Sequence, residues 1–148
     1  MPSSRRLPAL VATVLVMAGL PAAAHAAAIK DGYYIDTKLQ VYVVAGGGGT
    51  MIKSFQGPCM ITPQGGGEAS QQGGYTIKKH FKVSSAGKFA YDGKTTLQSS
   101  SKSVINIKVA GQIKNGKAKG TITFDGKTAS CNTLTFSGKY YGKHPHGL

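Results

Sequence analysis

The sequence predicts an all-β protein: an antiparallel β-sandwich of Ig-like or Greek-key type, or a partly closed barrel, of about eight strands. Three observations predict it. Apolar residues alternate with polar ones at a period of two through most of the chain after residue 30, and no stretch there sustains a helical 3.6 period. Threonine, valine, isoleucine and tyrosine dominate the alternating segments, as they do on pleated, half-buried surfaces. Glycine-rich punctuation separates those segments at spacings that suit sandwiches and barrels.

The first residues are set apart. Arg5 and Arg6 precede an apolar run over residues 10–20, and Ala24-His25-Ala26 supplies the small residues of a cleavage site. This is the layout of a secretory signal peptide, expected over residues 1–26 with cleavage after 26 or as late as 28. The run is shorter than the roughly 20 residues that span a bilayer. The arginine pair leaves the general and twin-arginine routes both open. Residues 27–148 then form one β-domain, with a flexible tail expected from about residue 142, destined for the envelope or the extracellular space.

From residue 30 the elements follow in order. Asp31 and Asp36 flank a first short strand. In the segment 38–45, Leu39, Val41, Val43 and Ala45 share one face; the glycines of 46–49 turn this strand into another over 50–56. Gly57-Pro58 predicts that this second strand ends or bends before Cys59, because proline has no N–H to give to a ladder. Residues 63–74, rich in glycine and glutamine, read as a polar loop. Across 75–83, Tyr75, Ile77, Phe81 and Val83 alternate with polar residues, and Lys79 alone breaks the apolar side. A further loop is expected over 95–103. The strongest local signal is Lys114-Asn115-Gly116-Lys117: Asn-Gly accepts the positive φ values of a type I′ turn, so 103–114 and 117–124 should form a hairpin. Leu134, Phe136 and Tyr140 line one side of a last strand.

Two cysteines occur, Cys59 and Cys131. In an exported protein an even pair reads as a disulfide, with two buried free thiols as the alternative. No CxxC is present, which argues against redox catalysis.

Most enzymatic chemistries find little to work with. Gly-Lys-Thr occurs at 93–95 and 126–128, but the upstream glycines, Gly87 and Gly120, stand one residue too far for a phosphate-binding loop, and no helix follows. Both copies sit in a short echo, Ala90-Tyr91-Asp92-Gly93-Lys94-Thr95-Thr96 against Thr123-Phe124-Asp125-Gly126-Lys127-Thr128-Ala129, and both read as tight turns centred on Asp-Gly. One glutamate and four aspartates make a glycosidase pair improbable. No Gly-x-Ser-x-Gly is present for a serine nucleophile. A small secreted hydrolase stays open as an alternative, its first sign being Glu68 or Asp36 gathered with His80. His144 and His146 make a weak metal pair, since a site needs three or four ligands. No cofactor is expected.

Charge is the remaining signal. The chain carries a formal +13. Residues 27–148 hold 16 lysines, no arginine and five acids, a net charge of +11. That exceeds the magnitude of about 2–8 that keeps a small domain soluble. Lysine offers point charges rather than the forked geometry of arginine, so anion binding should be diffuse and salt-sensitive. Lys78, Lys79, Lys82, Lys108, Lys114, Lys117, Lys119, Lys139 and Lys143 alternate onto strand faces, with Tyr42, Tyr140 and Tyr141 nearby. Two readings follow. The lysines are a binding face for anionic polymers (cell-wall polymers, acidic glycans or nucleic acid), or a solubilising coat that also guards strand edges. A module that meets an envelope protein through its edge strands is a further possibility.

The series Asp31-Gly32-Tyr33-Tyr34, Gly57-Pro58-Cys59-Met60-Ile61, residues 87–95, residues 109–124 and residues 131–140 resembles a group of small exported proteins of actinobacterial type. Members share a signal peptide, one β-rich domain, a Gly-Lys-Ala-x-Gly-Thr strand and a late cysteine. The resemblance spans most of residues 31–141. It implies an exported β fold and supplies no catalytic residues.

Overall fold

In the computed structural model, which describes residues 28–99 and 102–144, the alternating segments become nine antiparallel strands, with no helix among the described residues. They are β1 (Gly32–Asp36), β2 (Val41–Gly46), β3 (Met51–Ile61), β4 (Ser70–Ile77), β5 (Phe81–Lys82), β6 (Lys88–Gln98), β7 (Ser103–Lys114), β8 (Lys117–Phe124) and β9 (Leu134–Gly142). All belong to one sheet, in the order β2-β1-β9-β8-β7-β6-β4-β3-β5. Strands β2 and β3 also pair, which brings the ends of that order together into a ring. The all-β expectation holds, and of the arrangements left open by the sequence the molecule adopts the barrel-like one. The expected signal peptide and His146 lie outside the described residues.

The period of two explains the core. Val41, Val43, Phe55, Ile105, Ile107, Val109, Ile122 and Phe136 point inward and are essentially inaccessible to solvent. Phe55 meets Phe136 edge-on at 5.5 Å between ring centres, and Tyr75 meets Phe124 at 5.6 Å. Fully burying one such side chain contributes about 1.5–3 kcal/mol. The interior is filled by side chains, and no charged or polar residue type is buried among the described residues.

The β7–β8 hairpin forms as expected, in unbroken register from Lys114↔Lys117 to Ile107↔Phe124. Asn115 and Gly116 take φ values of 51° and 70°, the left-handed pair that a type I′ turn demands.

Several expectations give way. Asp92-Gly93 is not a turn: it lies in the middle of β6, paired with Lys108 and Ile107 of β7. Asp92 finds a cross-strand cation in Lys108 (3.2 Å), and Gly93 leaves the space that the Tyr91 hydroxyl fills. Tertiary pairing thus overrides the local turn preference. Asp125-Gly126 is the turn it was expected to be, with Lys127 N donating to Asp125 Oδ1 (3.0 Å) and Thr128 N to Asp125 O (2.9 Å). The polar loop is shorter than expected, because residues 70–74 pair with β3. The second expected loop is largely strand, since Thr95, Thr96 and Leu97 pair with Ile105, Val104 and Ser103. Strand β3 does not end at Gly57-Pro58. Pro58 lies past Gln56, the last residue paired with β2, where β3 is an edge on that side; its irregularity falls later, as a register shift between Cys59 and Met60. Finally, 75–83 is two strands. At Lys79 the alternation fails and residues 78–80 leave the sheet, so that β4 and β5 pair with successive parts of β3.

That break leaves a seam in the ring. Strand β4 pairs with β6 at Gly74↔Gln98 and Tyr75↔Leu97, and Val83 bridges to Phe89 further along. Between these points the Phe81 ring packs on Tyr91 (5.5 Å) and Phe89 (6.1 Å), and Thr95 Oγ1 donates to Thr76 O (2.9 Å).

The ring has two distinct ends. One carries the disulfide: Cys59 of β3 is bonded to Cys131 of the β8–β9 connection, and Asn132 N donates to Met60 O (2.7 Å) beside it. The other end carries the β7–β8 turn and the entering chain. There Ile29 packs against the core, and the Asp31 carboxylate accepts hydrogen bonds from Gly48 N (3.1 Å) and Gly49 N (2.8 Å).

A candidate anion-binding face on strands β7 to β9

The outer surface of a β-barrel is read in rows, because directly paired residues on neighbouring strands point the same way. One row runs Lys114 (β7), Lys117 (β8), Lys139 (β9). It continues to Ile35 (β1) and Tyr42 (β2). The next row towards the disulfide end runs Lys88 (β6), Gln112 (β7), Lys119 (β8), Ser137 (β9). A third is small and neutral: Ala90, Ala110, Thr121, Thr135. Lys88, Lys114, Lys117, Lys119 and Lys139 are all exposed. Gln112, Lys114, Asn115, Lys117 and Lys119 together line a surface depression of about 360 Å³.

This gathers Lys114, Lys117, Lys119 and Lys139 of the sequence-derived set on three adjacent strands. Lys82 shares a second depression with Lys88, Ala90 and Ala110. Three members stand elsewhere. Lys108 is ion-paired with Asp92, both side chains being largely solvated; Lys78 and Lys79 occupy the corner between β4 and β5, beside the exposed His80. Lys143 is exposed just past β9. Lys88 and Gln112 are additions that sequence reasoning missed. Alternation gives the face of a residue, but only the pairing register gives its neighbours across the sheet.

The tyrosines separate in the same way. Tyr140 is turned inward: its ring lies 5.2 Å from that of Tyr34, its hydroxyl donates to Asp31 O (3.0 Å), and Lys30 Nζ stands 5.5 Å over its face. Tyr42 is half-buried at the end of the lysine row, and Tyr141 is 48% exposed on β9 beyond Lys139. Ile35, between Lys139 and Tyr42, points out by alternation from Tyr34 yet is 2% exposed, so its neighbours cover it.

The electrostatics of the face follow from what stands near it. Asp36 is the acid at its margin, and its oxygens are already engaged, by Lys38 N (3.1 Å) and Leu39 N (3.1 Å) on one and Ser137 N (2.8 Å) on the other. Asp31, at the barrel end, is held below the usual carboxylate range by the Gly48 and Gly49 amides, with Lys53 and Lys143 adding to the effect. Neither acid is interposed in the Lys114–Lys117–Lys139 row. Direct juxtaposition of like charges across a sheet is unfavourable.

The residues named for other chemistries stand apart. Asp36 caps the β1–β2 turn, Glu68 is exposed in the β3–β4 loop and His80 is exposed at the β4–β5 corner. His144 is exposed past β9, and no group of three or more histidine, cysteine or acidic side chains is placed to hold a metal among the described residues. No helix of the described residues is long and apolar enough to cross a membrane.

Compared with protein-family models, with curated proteins and with solved structures, the chain matches none.

Proposed function

We propose that this is an exported, non-enzymatic binding module that holds anionic polymers of the envelope or the extracellular space on the outer face of β7, β8 and β9. The observation that carries the proposal is the register row Lys114↔Lys117↔Lys139. Three cations are set side by side at a cost to the sheet. Strand β7 also sets a lysine opposite an acid, where Lys108 pairs with Asp92 of β6. A coat that only solubilises has no need of the unfavourable arrangement, whereas a polyanion converts it into an asset by releasing its own counterions on binding. The Cys59–Cys131 disulfide fits an oxidising compartment, as does the leader-like start of the sequence. The resemblance to exported β proteins of actinobacterial type points the same way.

The edge-strand reading has less to draw on. Pairing of β2 with β3 covers β2 and the first half of β3, leaving residues 57–61 of β3, where Pro58 has no N–H to give, the two-residue β5 and the seam beside β6.

The test is retention of the oxidised protein on immobilised polyanions with elution by salt. Retention at low salt that falls steeply as salt rises supports the proposal. Passage through every polyanion support at low salt overturns it.

A further inference from the structure

The lysine row does not stop at β9: it leads through the covered Ile35 to Tyr42. Four inter-strand steps of about 4.8 Å separate Lys114 from Tyr42, roughly 19 Å along the row. Cations fill one part of this track and an aromatic side chain the other. Beside the cations lie amide and hydroxyl groups: Gln112, anchored by Nε2 to Ala86 O (2.8 Å), then Ser137, Thr121 and Thr135.

We infer that the anionic polymer is an acidic polysaccharide, laid across the strands along this row, with its carboxylates or sulfates on Lys114, Lys117 and Lys139 and a sugar ring against Tyr42. The inference rests on the polyanion reading above and names its partner. Each part of the track meets a different part of such a chain. Lysine ammonium groups take point-like anions. Serine, threonine and glutamine exchange hydrogen bonds with sugar hydroxyls. Tyrosine presents an apolar ring with a polar tip, suited to a sugar's C–H face and its hydroxyl rim.

A single-stranded nucleic acid fits the same surface less well. Its bases stack on aromatic rings interleaved with the cations. Here no ring lies between the lysines: Tyr140 is turned into the barrel, and Tyr42 and Tyr141 lie outside the lysine block. No arginine occurs in residues 27–148 to fork a phosphate or a guanine.

The experiment uses the chain expressed in full for export and purified in its oxidised form. Binding at one ionic strength is compared for alginate (a polyuronate), inorganic polyphosphate, oligothymidylate and neutral dextran. Alginate is expected to bind tightest. Tyr42→Ala is expected to weaken alginate about tenfold and leave polyphosphate unchanged, while Tyr42→Phe keeps most of the alginate affinity; circular dichroism confirms that each variant is folded. Should Tyr42→Ala unfold the protein, Tyr42→Phe and Tyr42→Leu are compared instead, with the loss expected for leucine alone. Oligothymidylate binding tighter than alginate, or alginate affinity indifferent to loss of the ring, overturns the polysaccharide inference and leaves the polyanion reading standing. Failure of every polyanion to bind overturns both.

Discussion

The two ends of the barrel are held by different means. At one end Cys59 and Cys131 tie the β8–β9 connection to β3 across 72 residues of sequence, and Asn132 adds hydrogen bonds to Met60 O and Thr62 Oγ1. At the other end there is no covalent tie. That end is closed by a two-residue turn, by Ile29 over the core and by the Asp31 carboxylate on two glycine amides. The second end also carries the row of like charges, which works against the sheet it sits on. The covalent tie thus lies at the disulfide end and the row of like charges at the turn end, so mutations at the two should have separate effects.

The largest expected effect lies at the disulfide end. Cys59→Ser with Cys131→Ser releases a loop of 72 residues, for which the loop-entropy model gives about 4 kcal/mol. Chemical denaturation should show that loss. Retention of the still-folded variant on a polyanion support should be unaltered, because the lysine row is at the far end. A fall in retention at native temperature would mean that the two ends are coupled.

The turn end should respond more weakly. Gly116→Ala places a Cβ at φ 70° and should cost about 1–2 kcal/mol. It should also lower polyanion affinity, since Lys114 and Lys117 flank that turn. Within the core, Tyr75→Phe sharpens the contrast from the other side. Tyr75 is 2% exposed and its hydroxyl has no hydrogen-bond partner among the described residues. Burial pushes its phenol far above the usual tyrosine range. Removing that hydroxyl should raise stability by about 1 kcal/mol, read as a higher denaturation midpoint at an unchanged slope.

The smallest effect is a pH dependence at Asp31. Its folded-state pKa lies below the ordinary value because the glycine amides favour the carboxylate. The stability it contributes is therefore present above the unfolded-state pKa and is lost as pH falls through the lower, folded-state value. Asp31→Asn should melt below the parent protein at pH 7, and the gap should close as the pH is lowered below the carboxylate range. A gap independent of pH would assign the effect to shape rather than charge.

Much of this architecture is legible from alternation alone. The inward faces of 41–45, 103–113 and 120–124 are buried as their patterns dictate, while 38–40, expected as strand, form the β1–β2 turn with Leu39 half-buried, and Asn115-Gly116 sets a turn whose residues leave little choice. Local signals mislead where pairing partners decide. Asp92-Gly93-Lys94-Thr95 and Asp125-Gly126-Lys127-Thr128 are the same four residues, yet one is strand and the other turn. The difference lies in the partners: Asp92 is in register with Lys108 of β7, whereas the Asp125 carboxylate accepts from Lys127 N within its own turn and from Asn106 Nδ2 at the end of the β7–β8 ladder. The same limit applies to the candidate face. Sequence places Lys114, Lys117 and Lys139 on outer faces, but the register through Gly138↔Ala118 and Lys139↔Lys117 makes them neighbours. Lys108 looks equivalent along its strand and is neutralised by a residue 16 positions earlier.

The most direct test of the account asks whether position or total charge binds the polyanion. Lys114, Lys117 and Lys139 are changed together to Gln in one protein, and Lys78, Lys79 and Lys127 in another, so that both lose the same charge. Affinity for one polyanion is then measured against salt. The first triple is expected to flatten the dependence of log K on log salt by roughly one for each lysine removed, about three in all, while the second stays near the parent. Equal losses in the two proteins would contradict this, and would return all the lysines to the role of a solubilising coat.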